Sequence, residues 1–508
     1  MRICGAAAMK QIDRQAIYEQ GIPGTTLMTR AGLIVCDVIA HKLESVSGKR
    51  FKVFCAPGKN GGDGFVIARE LKRRGGLVET YLAGNREKFA EDTAVMVSRY
   101  EQDGGEILPL VEKTDIRAGG CDCMVDALFG IGFRGTLQGG ALAACQYMNE
   151  TDAMTVAVDL PSGVETDTAH TCADAVMADV TVTFTLPKPG CCLTPGAVNC
   201  GELIVADIGI SSDIIMQAES AMEAVDETFC DARIPVRRRD SHKGDYGKVL
   251  IIGGSAMYPG APFFTTQAAV RTGAGLVTSA VPSEVYPILA VKVNEAMPYR
   301  LPSDNGILTE SCLETLEMLA QGKSACAIGM GLGRDERTQE TVRRFLKNLT
   351  IPAVVDADGI NALCGHIDMV RGLPLVLTPH DGEMVRLAGE TPPKDGIERA
   401  KFALACAKRF DCMVLLKGYR TIIADPDGRL AVNTTGNPGM AKGGSGDVLS
   451  GIIAALLGFG LSPYDAAACG AYLHGMAGDL CAERLGEYGM TPTDMLAAIP
   501  DTLKAYSK

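Results

Sequence analysis

The chain has 508 residues, of which 47% are hydrophobic and 22% charged, a balance that excludes widespread disorder and predicts two or three globular domains. The formal net charge of −12 argues against a nucleic-acid surface, so any anion site must be built from backbone amides and helix ends. The 18 cysteines include no C-x-x-C pair, the six histidines do not cluster with them, and zinc ligation is not expected. The opening MRICGAAAMKQIDRQ turns charged too early for a secretory signal, which predicts a cytoplasmic protein with reduced thiols.

In the first half, short β-branched runs at Phe51–Cys55, Val78–Leu82, Met124–Leu128, Thr155–Asp159, Val180–Phe184 and Leu203–Ala206 read as strands. Helical patterns such as Gly64–Arg74 and Lys88–Gln102 lie between them. Such alternation predicts an α/β domain with a parallel sheet and helices on both faces. Lys52–Val66, KVFCAPGKNGGDGFV, runs from a strand through a glycine turn into a helix, the layout of an anion cradle. Met124–Thr136, MVDALFGIGFRGT, places a G-x-G-x-x-G after a second strand, a pattern that packing glycines also produce. A third strand ends in VDLPSG (Val158–Gly163). In a doubly wound sheet these loops gather at the carboxyl edge and outline a nucleotide-sized cleft. Ser211–Lys243 is the expected domain boundary, and the basic run Arg237–Arg239 within it reads as a solvated linker.

The second half repeats the alternation, with strands expected at Val249–Ile252, Leu276–Ala280, Ala325–Ile328, Ala353–Val355, Leu375–Leu377, Val414–Leu416 and Thr421–Ala424. Asp356 and Asp358 form a possible metal pair, although turn and cap roles suit them better. The densest signal is Asn433–Gly451, NTTGNPGMAKGGSGDVLSG. Here a glycine-rich turn feeds an apolar helix beginning near Val448. Gly443, Gly444, Ser445 and Gly446 would form an anion hole at that helix N-terminus. Asp447, a carboxylate beside an anion site, suits a base that accepts a proton from an attacking hydroxyl; an acidic helix cap is the plainer reading of the same residue. The run Val448–Leu461 is too short for a membrane span and reads as a buried helix.

These motifs resemble two known families. The glycine turn with its aspartate is similar to the ribokinase-like superfamily, and no Walker loop is present. Within that superfamily HKGDYGKVLIIGGS (His242–Ser255), RTGAGLVT (Arg271–Thr278), GMGLG (Gly329–Gly333), VVDADGIN (Val354–Asn361), LTPHDGEM (Leu377–Met384) and LKGYRT (Leu416–Thr421) resemble the NAD(P)H-hydrate dehydratases. The opening stretch Ala6–Gly32 and the first-half loops resemble the NAD(P)H-hydrate epimerase domain. The resemblance implies a Rossmann-like doubly wound epimerase domain over residues 1–225 and a ribokinase-like three-layer α/β/α dehydratase domain over 226–508.

The resemblance also assigns residues. In the epimerase it implies substrate contacts at Lys59, Asn60, Gly61, Gly62 and Asp63, and at Gly130, Ile131, Gly132, Phe133, Arg134, Gly135 and Thr136. Asp159 would be the acid–base group, and Asn60, Asp126 and Ser162 would bind K+ through hard oxygens. In the dehydratase Ala261, Gly331 and His380 would contact the hydrated nucleotide, with Asp447 acting on its hydroxyl. Lys417, Gly418, Tyr419, Arg420, Thr421 and Gly446 would hold ADP, with Mg2+. The family usually has asparagine at position 59, where Lys59 instead offers a direct phosphate contact, and proline at position 381, here Asp381. The implied partners are small molecules, NADHX, NADPHX and ADP, with self-association into a homo-oligomer and neither nucleic acid nor membrane. A vitamin or sugar kinase on the same fold, and a binding role for the first half, are the competing readings.

Overall fold

A computed structural model describes residues 1–506, and no helix among them is long and apolar enough to cross a membrane. The chain divides into two compact units: Arg2–Ala221 with Lys394–Ile397, and Met222–Pro393 with Glu398–Lys508 and Met1.

After a short strand β1 (Arg2–Ile3), the first unit contains β2 (Arg50–Cys55), β3 (Leu77–Leu82), β4 (Ile107–Pro109), β5 (Cys123–Ala127), β6 (Met154–Val158), β7 (Val180–Phe184) and β8 (Glu202–Ala206). They form a seven-stranded sheet in the order β4-β3-β2-β5-β6-β7-β8, with every pair parallel. The order reverses between β2 and β5, and an open α/β sheet places its ligand crevice at the carboxyl ends beside such a switch point. The helix expected from Gly64 begins at Lys59 and runs to Arg73, so Lys59–Asp63 is helical rather than a loop. Gly61 and Gly64 permit this. A Cβ on Gly61 would sit 1.8 Å from the Ala56 carbonyl oxygen, and one on Gly64 would sit 2.5 Å from the Ala127 Cβ.

The second unit adds β9 (Met222–Val225), β10 (Lys248–Ile252), β11 (Leu276–Pro282), β12 (Met297–Leu301), β13 (Ala325–Ile328), β14 (Ala353–Val355), β15 (Leu375–Leu377), β16 (Met413–Leu416), β17 (Ile422–Ala424) and β18 (Leu430–Asn433). Their order is β9-β18-β17-β16-β15-β14-β13-β10-β11-β12. The sheet is parallel from β12 across to β16, but β16–β17 and β17–β18 are antiparallel. That meander corrects the expectation of parallel pairing throughout; the few residues between these strands are too short for a parallel crossover. Helix Ser445–Gly458 is buried along most of its length and lies in the main core with Pro463–Gly489 and Pro492–Leu503. The Arg237 guanidinium lies 4.0 Å above the Tyr246 ring and hydrogen-bonds the Gly273 carbonyl, so this part of the basic run is packed rather than free linker.

Candidate active sites

In the first unit the loops after β2, β5 and β6 converge on a cleft of about 630 Å³. Its lining includes Lys59, Asn60, Asp63, Gly130, Ile131, Gly132, Phe133 and Asp159, together with Asp13 and Lys188. Gly130 is small for a reason: a Cβ there would lie 2.7 Å from Asp159 Oδ2 and 3.1 Å from Asn60 Oδ1. Asp159 follows β6 with φ of +70°, a conformation unfavourable for a residue bearing a Cβ. The Ile131 amide donates to Asp159 Oδ2 at 3.2 Å. Burial, then the Asp159 and Asp13 charges, pushes the Asp63 carboxyl well above the usual range.

Asp126 and Ser162 sit deeper. The Ser162 amide and hydroxyl donate to the two oxygens of Asp126 at 2.7 and 2.6 Å, and the Phe129 amide donates to Ser162 Oγ at 3.0 Å. Burial raises Asp126 to about 6 despite those bonds. Asn60 Nδ2 is buried without a protein partner among the described residues. Arg134, Gly135 and Thr136 fall outside the cleft lining. Arg134 is exposed and pairs with Asp167 at 3.4 Å, and the Gly135 amide donates to Glu165.

In the second unit the functional candidates again lie beyond carboxyl strand ends. Gly444 (φ +100°) precedes helix Ser445–Gly458, and Asp447 occupies its first turn without capping it. A Cβ on Gly446 would meet Lys417 Nζ at 3.5 Å and Asp356 Oδ2 at 3.6 Å. Lys417, past β16, pairs with buried Asp356 at 2.8 Å, and Ser450 Oγ donates to Asp356 at 2.7 Å. Burial opposes both charges, yet their pairing wins: Asp356 lies below and Lys417 above its ordinary value. Asp447 has no such ion pair among the described residues, and burial, then the Asp356 charge, raises it to about 7 against the pull of Lys417.

Around this centre the remaining candidates are held by local geometry. Gly418 abuts the Arg399 guanidinium, which also donates to the Lys417 carbonyl at 2.9 Å. Tyr419 is half exposed, Arg420 is buried at φ +61° with Nε unpartnered among the described residues, and Thr421 Oγ1 donates to the Gly418 carbonyl at 3.0 Å. Ala261 and Gly331 touch, since a Cβ on Gly331 would lie 2.9 Å from that of Ala261. His380 caps helix Asp381–Ala388, accepting from the Gly382 amide at 3.0 Å, while Glu383 lies between it and Lys417. Asp381 pairs with Arg399 at 2.5 Å.

Comparison with known proteins gives a consistent result. Residues 249–501 match the family model for NAD(P)H-hydrate dehydratase, and residues 24–190 match that described as YjeF-related protein N-terminus. The bifunctional NAD(P)H-hydrate repair enzyme of Moorella thermoacetica is 43% identical, covering 99% of this chain and 97% of that one. This chain belongs to the bifunctional NAD(P)H-hydrate repair enzymes. A ribokinase-like superfamily protein from Enterococcus faecalis aligns with a TM-score of 0.50 and 29% identity, over 56% of this chain and 97% of its own. An ADP/ATP-dependent NAD(P)H-hydrate dehydratase from Bacillus subtilis, co-crystallised with ATP and Mg2+, is 29% identical over 56% of this chain and 99% of its own, with a TM-score of 0.49.

Sequence reasoning missed Lys188 and His474 and the pairing made by Asp356, all of which lie beside this repair enzyme's candidate sites. Lys188 reads as an ordinary lysine between prolines, yet it is 1% exposed and pairs with Asp159 at 2.6 Å. Asp356 reads as a turn residue, a role that belongs to Asp358, which accepts from the Gly333 amide at 2.8 Å. His474, in helix Pro463–Gly489, reaches the Ser445 carbonyl at 2.9 Å and steadies the glycine turn; burial lowers it to about 4, so it is neutral. Lys188 and His474 have no motif signal, whereas Asp356 lies within VVDADGIN and only its pairing with Lys417 went unread.

Proposed function

We propose that the first unit interconverts the R and S hydrates of NADH and NADPH at C6, and that the second converts the S hydrate to NAD(P)H with ADP, releasing AMP and phosphate. The observation that carries the reading is Asp447: a carboxyl raised to about 7 in the first turn of a helix whose N-terminus follows a glycine turn, with Lys417 alongside. A base with a value near neutral is available in ionised form and still accepts a proton. It would take the proton of the C6 hydroxyl while the turn Gly443–Gly446 holds the transferring phosphate. Hydroxide is a poor leaving group, and phosphate is a good one; the ring nitrogen's electron pair then expels it. Lys417, Gly418, Tyr419, Arg420 and Thr421 would hold the nucleotide, with Ala261, Gly331 and His380 toward the nicotinamide. Mg2+ would arrive with the nucleotide's phosphates and offset their charge during transfer, leaving Asp447 free to take the proton.

In the first unit Asp159 would take the proton of the C6 hydroxyl as the C6–N1 bond opens to an aldehyde, its electron pair going to N1, and return it when the ring recloses on the other face, with Lys59–Asp63 and Gly130–Phe133 holding the substrate. The Asn60 amide oxygen, the Asp126 carboxylate and Ser162 Oγ form a donor set of hard oxygens that suits K+. Bound there, K+ would supply fixed positive charge beneath the cleft. Incubating the protein with hydrated NADH and ADP tests the reading. Reduced-nicotinamide absorbance should return, with AMP and phosphate formed; a stable phosphorylated product or no return would overturn it.

A further inference from the structure

Lys188 has no part in the chemistry so far, yet its placement is specific. It follows β7 after Thr185, itself at φ +66°, and is the most buried lysine of the cleft at 1% exposure. Its ammonium donates to three acceptors: Asp159 Oδ1 at 2.6 Å, Thr183 Oγ1 at 2.8 Å and the Phe184 carbonyl at 3.0 Å. Thr183 Oγ1 donates in turn to the same Oδ1 at 3.2 Å. Oδ1 is therefore occupied from behind. Oδ2 takes the Ile131 amide and faces the space left open by Gly130, toward Asn60.

We propose that Lys188 is a positioning residue for epimerisation, which clamps Asp159 through Oδ1 so that Oδ2 alone exchanges a proton with the substrate. The inference rests on the reading of Asp159 as the acid–base group. A carboxylate free to rotate offers two oxygens at many angles, and a misplaced donor costs rate rather than affinity. When Asp159 carries the proton, Thr183 Oγ1 and the Phe184 carbonyl still accept from the ammonium and keep it beside Oδ1. The surrounding charges agree with this division of roles. Asp13 and Lys59 face the pair from the two cleft helices, Asp63 joins them, and Cys191 lies on the following turn. Burial foremost pushes the Asp13 and Asp63 carboxyls upward, and the carboxyl that the ammonium contacts directly is that of Asp159.

The test uses the full-length protein and compares epimerisation by Lys188→Ala, Thr183→Val and Asp159→Asn. Lys188→Ala should lower kcat by about 10²-fold, in the range for a displaced acid–base group, with KM within about twofold. Ethylammonium, which restores an N–H donor in the vacated space, should recover at least about tenfold of that loss, whereas tetramethylammonium, which has no N–H, should recover none. Thr183→Val keeps the lysine and should lower kcat several-fold at unchanged KM. A Lys188→Ala protein with near-wild-type kcat, or one whose loss appears in KM, overturns the proposal. If Lys188→Ala fails to fold by circular dichroism, Thr183→Val decides, and wild-type kcat in that variant overturns the proposal. Asp159→Asn separates the two levels. Full epimerisation by that variant sinks the underlying reading, whereas its inactivity beside an active Lys188→Ala sinks only the clamp.

Discussion

Asp447 shows how one carboxyl serves chemistry at a cost to the fold. Its folded value, about 7, stands above the ordinary 3.8, so the folded state binds its proton more tightly than the unfolded chain does. The stability it contributes is complete below pH about 3.8 and is lost as pH rises through about 7. Ionisation is nevertheless what a base requires, so dehydration should rise along a limb near pH 7. Asp447→Asn should slow dehydration by about 10²–10⁴-fold, and its melting temperature should gain on wild type as pH rises from about 4 to about 7, then hold that lead. A flat pH–rate profile with near-wild-type turnover would return Asp447 to a structural role. Asp126→Ala addresses the other unit: it should abolish an anomalous signal from Rb+ soaked in place of K+ and slow epimerisation, while dehydration of the S hydrate persists. An Rb+ peak that survives the substitution would place the ion elsewhere. The sequence placed Asp447 and Asp159 beside glycine motifs, and the structure sets Asp447 in the turn after Gly444 and Asp159 against Gly130. Lys188, His474 and the partner of Asp356 were not legible, because these contacts join residues 29, 29 and 61 positions apart.

Elements were legible where both faces are covered. Val180–Phe184, Ala325–Ile328, Ala353–Val355 and Leu375–Leu377 are buried at every residue and match their expected spans. The edge strands Ile107–Pro109 and Met297–Leu301 were not legible, because their exposed positions break the apolar run. Glycine misled in one place and guided in another. It suggested a loop at Lys59–Asp63 where a helix packs closely, but it correctly marked the entry to Ser445–Gly458. That second helix also needs Gly451, where a Cβ would meet the Thr265 carbonyl oxygen at 2.3 Å and the Ala268 Cβ at 2.6 Å. Backbone cannot yield as a flexible side chain can, so Gly451→Ala should destabilise the second unit by about 1–3 kcal/mol, as overpacking does. Calorimetry should show its transition falling while epimerisation continues. An unchanged melting profile would mean that the helix pair slides apart without penalty.

For the whole molecule, the α/β class followed from strand–helix alternation, whereas the antiparallel meander β16–β18 needed the structure because two adjacent short strands look the same in either direction. The two units each complete a set of groups at the carboxyl edge of their own sheet, and the substrate connects their reactions. Hydration at C6 creates a stereocentre, so damage yields two hands. A site that must hold Asp447, a C6 hydroxyl and a phosphoryl group in line accepts one of them. The other hand accumulates unless it is inverted, which is a physical reason to carry both activities on one chain. With an equal mixture of epimers, the wild-type protein and ADP should restore all the reduced cofactor in one kinetic phase, provided inversion is faster than dehydration. Asp159→Ala should restore promptly only the fraction already in the accepted configuration, then continue at the rate of spontaneous inversion. If that variant consumes both epimers in a single fast phase, either Asp159 does not act on the substrate or the dehydratase accepts both hands. Incubating that variant with one purified epimer and no ADP separates these outcomes by chiral chromatography: appearance of the other hand means that Asp159 does not act on the substrate, and its absence means that the dehydratase accepts both hands.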